Sequence, residues 1–190
     1  DKRFRFETND PGKWFDVPED GVYRLLIKDL FASAQGDPRH FYRLVIRETQ
    51  PDFRLVALPE RTDAKNQNGV EPASVAIAPG GSERLRLLPL RREGFDQEIA
   101  VEAEGLPEGV TAEPVLIGSW APEAYIVFRA KPDAKPWAGS VRLIGRAKVD
   151  DKELVRPARG VEVLWGIKDS NTIAQTRVVS DVTIAVIADK

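Results

Sequence analysis

Cysteine is missing from this chain. Its absence removes disulfide staples, thiolate-bound metals and cysteine nucleophiles together. It leaves the redox compartment open, because many exported bacterial β-domains manage without disulfides. A single histidine, His40, stands among 190 residues, so a metal site with two imidazole ligands is excluded and any Ser-His-Asp relay would have to use that one ring. His40 sits where a loop becomes a strand, with Ser33 the nearest serine in sequence, and the chain has no Gly-x-Ser-x-Gly elbow. An ordinary loop histidine is the better reading. Long apolar runs are also missing: none approaches the roughly 18 residues of a membrane helix, and no charged start with a short apolar stretch marks a secretory signal. The chain opens at Asp1, as expected of an excised fragment or a processed product. Neither sign of charge dominates, with 28 Lys and Arg against 30 Asp and Glu, so no basic field exists to attract nucleic acid or an anionic membrane surface. A phosphate-cradling loop is absent as well, since Pro79-Gly80-Gly81-Ser82 lacks both the motif and a following helix.

What the chain does have is short strands in quantity. Hydrophobic residues make up 42% and charged residues 31%, an ordinary balance for a folded protein of one large or two small domains. Alternation of apolar and charged residues marks Tyr23 to Leu30 (YRLLIKDL) and Phe41 to Glu48 (FYRLVIRE) as strands with one wet face. Tyr23, Leu25 and Ile27 are expected to meet Tyr42, Leu44 and Ile46 in one core. Arg3 to Phe6 and Lys13 to Val17 precede them, and Phe53 to Leu58 follows as a further strand.

Residues 61–70 (RTDAKNQNGV) are polar and without apolar period, as a linker or exposed loop is. Beyond them, strands are expected at Ser74 to Ala78, Glu83 to Leu90, Gln97 to Ala103, Val110 to Ile117, Ala124 to Ala130, Val141 to Val149 and Glu153 to Leu164. Turn signals at Pro79-Gly80-Gly81, Glu93-Gly94, Gly105 to Gly109 and Asp150-Asp151-Lys152 separate them. About seven short alternating strands in about 100 residues is the pattern of an immunoglobulin-like sandwich. No segment of helical length carries a 3.6-residue period, so helix content should be very small. After a polar stretch, Val182 to Ile187 (VTIAVI) either completes a sandwich or pairs elsewhere.

The run from Trp14 through Tyr23-Arg24-Leu25-Leu26-Ile27 to Tyr42-Arg43-Leu44-Val45-Ile46 resembles the second half of a bacterial pre-peptidase C-terminal domain: an aromatic strand, an Asp-Gly turn and two Tyr-x-Leu-x-Ile strands around a Gly-containing loop. The second block is similar to the immunoglobulin-like modules that follow such domains in exported bacterial proteins, most recognisably at Gly105-Leu106-Pro107-Glu108-Gly109-Val110. The resemblance implies an all-β chain of two β-sandwich modules. Residues 1–60 would be a pre-peptidase C-terminal-like, partial jelly-roll-like block, short for the full family domain; 61–70 a linker; 71–165 the immunoglobulin-like sandwich; and 166–190 a polar tail with a final strand. It further implies a non-catalytic accessory module, a spacer or interaction platform, in a secreted, cell-surface or periplasmic multidomain protein whose neighbouring domains are its first partners.

Two sets of side chains carry the remaining chemistry. Trp120 and Trp137 lie in apparent loops, where an exposed indole stacks on a sugar ring of a polysaccharide or on a protein partner. The alternative is that each closes an end of the sandwich core; Trp14 and Trp165 read as core. Asp16, Glu19, Asp20 and Asp29 are close enough in sequence to offer oxygen ligands to calcium, an ion that some relatives of the pre-peptidase type take. No other cofactor is implied. The competing reading is that Asp20 shapes a turn and the other acids keep an edge soluble. Neither nucleic-acid binding nor membrane insertion is expected.

Overall fold

The computed structural model describes residues 12–27, 43–60, 73–165 and 175–187, for 164, 165 and 175 the backbone alone. The chain divides into two compact units, 7–48 and a larger one formed by 1–6 with 49–190.

In the smaller unit, the described residues 12–27 and 43–48 contain no strand. The structure therefore departs from the expectation at the two Tyr-x-Leu-x-Ile runs and at Lys13 to Val17. Tyr23, Leu25, Ile27, Leu44 and Ile46 lie exposed, Leu25 at 63% and Ile46 at 79%, and they share no core; Tyr42 lies outside the described residues. Trp14, expected in a core, is 71% exposed. Alternation specifies which face of a strand is buried only when a partner strand and a second layer are supplied. What holds here is local: the Tyr23 hydroxyl donates to the Glu19 carbonyl at 2.5 Å, bracketing the bend at Asp20-Gly21, and the Phe15 and Tyr23 rings meet edge to face at 5.3 Å.

The larger unit is all-β, with eleven strands and no helix among its described residues: β1 (Asp52–Pro59), β2 (Ser74–Ile77), β3 (Ser82–Arg92), β4 (Ile99–Glu104), β5 (Val110–Ala112), β6 (Val115–Ile117), β7 (Ala124–Ala130), β8 (Trp137–Val149), β9 (Lys152–Trp165), β10 (Gln175–Val179) and β11 (Val182–Val186). One layer runs β10-β9-β1-β3-β7-β5. The other places β2, β11, β8, β4 and β6 side by side.

One long strand, β9, serves both layers. The second half of β8 forms a hairpin with the start of β9, from Ile144↔Pro157 to Val149↔Lys152. From Ala158 onward β9 leaves β8 and pairs in parallel with β1, then with β10. Pro157 stands at this change of partner, where a residue without an N–H leaves no donor unpaired. Arg156 Nε bonds Asp52 Oδ1 at 2.9 Å across the crossing.

The core follows the sequence pattern. Ile99 and Val101 of β4, and Val141, Leu143 and Ala147 of β8, are buried in one cluster with Phe53, Leu55, Leu85, Leu87, Ile126 and Phe128 of the facing layer. Each of these side chains except Ala147 contributes about 1.5–3 kcal/mol on burial. Val56 and Leu58 of β1 join Leu88, Val161 and Val163 in a second cluster, so β1 is buried on both faces. This explains why Phe53 to Leu58 reads as a near-continuous apolar run. The sequence groups that strand with the first block; its partners are β3 and β9 of the larger unit. Val182 to Ile187 completes the same unit, between β8 and β2.

Two further departures concern the number of strands. The expected strand Val110 to Ile117 is two strands, β5 on β7 and β6 on β4, because the chain passes between layers at Glu113-Pro114. Strand β10, which carries Thr176, Val178 and Val179, departs from the expectation of Val182 to Ile187 as the one strand of the tail.

The layers approach closely at two glycines. A Cβ on Gly145 would lie 2.3 Å from Leu55 Cδ1 and 3.0 Å from Phe53 Cε2. A Cβ on Gly160 would lie 2.7 Å from the Asp181 carbonyl oxygen and 2.9 Å from Ala73 Cβ. Side-chain ends can swing aside, whereas a backbone carbonyl moves only with its strand. Gly160→Ala is expected to lower stability by about 1–3 kcal/mol, and more than Gly145→Ala; urea unfolding midpoints at unchanged slope measure both.

Candidate functional site

The outer faces of the two layers carry the exposed chemistry. On β4, β8 and β9 the alternating charged residues form a cross-strand ladder: Arg142 to Glu104 at 3.2 Å, Arg146 to Glu104 and Glu153 at 3.8 Å each, and Lys148 to Asp151 at 3.5 Å. Solvent-exposed pairs of this kind add little to stability; they present donors and acceptors side by side. Between them lies a shallow open depression of about 530 Å³, lined by Gln97, Glu98, Ala100, Leu116, Arg146, Ala147, Lys148, Asp151 and Glu153.

A second group sits on β3 and β7. The Tyr125 hydroxyl donates to Glu123 at 3.0 Å, the Arg84 guanidinium lies over the Tyr125 ring at 5.0 Å and bonds Glu60 through Nε at 2.6 Å, and Arg86 reaches Glu123 at 3.3 Å. Burial first, then the hydrogen bond to Glu123 and the charges of Glu123 and Glu60, hold the Tyr125 phenol above its usual range, against the opposing charge of Arg86.

Arg91, near the end of β3, holds the turn between β6 and β7. Its terminal nitrogens donate to the carbonyls of Gly118 at 2.6 Å, Ala121 at 3.3 Å and Gln97 at 3.5 Å. The turn closes on itself through Ala121 N to Gly118 O at 3.0 Å. The guanidinium also stands 6.0 Å from the Phe95 ring centre, and Phe95 packs on Phe53 at 5.1 Å, which ties the turn to the core. Burial lowers the Arg91 pKa. At the tip of this fastened turn Trp120 is 88% exposed.

The structure does not bring the two loop tryptophans together. Trp137 is the first residue of β8, paired with Val186; it is half-buried, packs on the core, and its indole lies over the Cα of Gly139, where a Cβ would come within 2.5 Å of it. It closes the core, while Trp120 points to solvent. The turn carrying Trp120 follows β6, which pairs with β4 beside Arg146, and Arg146 is nine residues along β8 from Trp137, roughly 30 Å of extended strand. Asp16, Glu19 and Asp20 are exposed, and among the described residues no three His, Asp or Glu side chains are grouped to hold a metal. Asp29, His40 and the Trp165 side chain lie outside the described residues. Sequence reading missed Arg91 and the depression. A clamp made from three carbonyls of two separate loops has no sequence signal, and the depression draws its lining from four strands or their flanks.

No protein-family model matches the chain, and no curated protein matches it. Among solved structures it is similar to surface layer protein SbsC, domains 1–6, at 14% identity and a TM-score of 0.31, over 73% of this chain and 18% of that one. The chain thus matches less than a fifth of that structure's length, and likeness at this level carries no argument about fold or function.

Two outcomes test this description. Arg91→Ala removes three hydrogen bonds, two of them part-buried, so it should cost about 1–3 kcal/mol, against a change within about 0.5 kcal/mol for the exposed Arg92→Ala; thermal or urea unfolding compares them. Tyr125 has a folded pKa raised above its unfolded value, so its contribution to stability is whole below the unfolded pKa of about 10 and is lost as pH rises through the folded value. In ultraviolet titration, the tyrosinate signal that Tyr125→Phe removes should be one that develops above the usual tyrosine range.

Proposed function

We propose that the chain is a non-catalytic structural module of a secreted or cell-surface bacterial multidomain protein, acting as a spacer or interaction platform between neighbouring domains. The observation that carries this reading is the position of the first and last strands of the larger unit. β1 is paired on both sides, with β3 and β9, and β11 on both sides, with β8 and β2. Removing either strand breaks two hydrogen-bond ladders and opens the main core, to which β1 contributes Phe53 and Leu55 and β11 contributes Val182 and Ile184. A module that passes tension between neighbours needs this arrangement, because an edge strand at either end would peel one bond at a time.

The strand order supports an immunoglobulin-like assignment: β1-β3-β7-β5 facing β4-β8-β11 parallels the four-on-three arrangement of such sandwiches, with the β9–β10 excursion inserted before the last strand. The pre-peptidase C-terminal reading of the first block rests on its Tyr-x-Leu-x-Ile runs, and the extracellular setting rests on that resemblance.

The absence of native cysteine makes the test direct, since two introduced thiols serve as unique handles. With handles at Thr49→Cys and Ile187→Cys, single-molecule stretching of the full chain should unfold the larger unit in one cooperative event. The force should exceed that for handles at Thr111→Cys and Ile187→Cys, where edge strand β5 peels from β7. Equal forces, or stepwise yielding from the ends, would overturn the spacer reading.

A further inference from the structure

We infer that the turn bearing Trp120 and the adjoining depression form a binding site for a neutral polysaccharide, a function beyond that of a structural module. Trp120 is a large indole, 88% exposed, on a turn held in place by the Arg91 clamp. A turn whose backbone is held before binding spares the ligand the cost of ordering it. The negative face of the indole π-system suits the C–H face of a pyranose ring.

The turn and the depression adjoin. The same Arg91 nitrogen bonds the carbonyls of Gly118, in the turn, and Gln97, on the rim. Leu116, 63% exposed, lines the depression two residues before the turn begins. The remaining rim supplies what sugar hydroxyls need: the amide of Gln97, the carboxylates of Glu98 and Glu153, and the cations of Arg146 and Lys148. With Asp151 the rim carries three carboxylates against two cations, a near-balance that gives a polyanion or a polycation little field to follow, and the long contacts of 3.8 Å between Arg146 and its acids are readily exchanged for hydroxyls.

A protein partner fits this surface less well. Protein interfaces are built around an apolar, charge-depleted centre, whereas five of the nine residues that line this depression, Glu98, Arg146, Lys148, Asp151 and Glu153, are charged. The three-residue edge strand β6 is also short for pairing with an incoming strand.

The test uses the full chain with xylohexaose, cellohexaose and chitohexaose as probes. At least one should shift to shorter wavelength, and protect from acrylamide, the part of the emission that Trp120→Ala removes, Trp14 being exposed as well, with an affinity in calorimetry that is insensitive to salt. Trp120→Ala should weaken binding at least tenfold with the melting midpoint unchanged, and Arg146→Ala should weaken it severalfold while leaving acrylamide access to Trp120 in the free protein as it was. Four results would overturn the proposal: no protection by any of the three at millimolar concentration; binding that survives Trp120→Ala; protection only by an anionic polymer such as polygalacturonate, abolished by salt; or protection by a proline-rich peptide and by no sugar, which would assign the turn to a protein partner. Each leaves the stretching experiment unaffected, so failure here is distinct from failure of the spacer reading.

Discussion

The larger unit depends on one constraint: β9 must leave the layer of β8 and enter the layer of β1 without opening either. A strand that changes partners exposes backbone donors and acceptors at the crossing, and these have to be satisfied or removed. Pro157 removes a donor at the point of change. Arg156 and Asp52 tie the crossing to the start of β1, and Gly160 lets β9 pass within reach of the Asp181 carbonyl. With the crossing in place, β1 gains a second neighbour and acquires its two buried faces. The same crossing makes the two layers one cooperative body.

Stability and surface chemistry are separated in this fold. The apolar clusters take their members from the inward positions of the strands and from both faces of β1, while the charged residues form cross-strand pairs on the outside. The surface group most firmly coupled to the interior is Arg91, whose guanidinium stands over Phe95 and so, through Phe53, on the core. The backbone of the turn that carries Trp120 is held by that coupling. An exposed aromatic on an untied turn would have to be ordered by its ligand at an entropic cost.

Much of the larger unit was legible in the sequence, because each of its strands sees a core on at least one side and the period of two records it. Ile99 and Val101 face in while Glu98 and Glu102 face out, as the alternation requires, and Asp150-Asp151 forms the tip of the β8–β9 hairpin, with Asp150 at φ 51°. The candidate site was half legible. Trp120 and Trp137 are equivalent in sequence, each in a short loop beside a proline, yet one packs on the core and the other does not. The difference lies in what strand pairing places around them: β11 beside Trp137, and the Arg91 clamp beneath the turn of Trp120.

Local pattern determined the all-β class, the strands with a wet and a dry face, and the exclusion of thiol chemistry, since these follow from residue type and spacing alone. Tertiary structure decided which layer each strand joins, that Val110 to Ile117 divides between layers, and that Phe53 to Leu58 belongs in the middle of the larger unit. The physical reason is the range of the interactions. Alternation reports that a face is buried without naming its partner, and β-sheet partners such as Leu55 and Ala158 come from residues about a hundred positions apart. The two Tyr-x-Leu-x-Ile runs show the limit from the other side, for they carry the same alternation and, among the described residues, are neither paired nor buried.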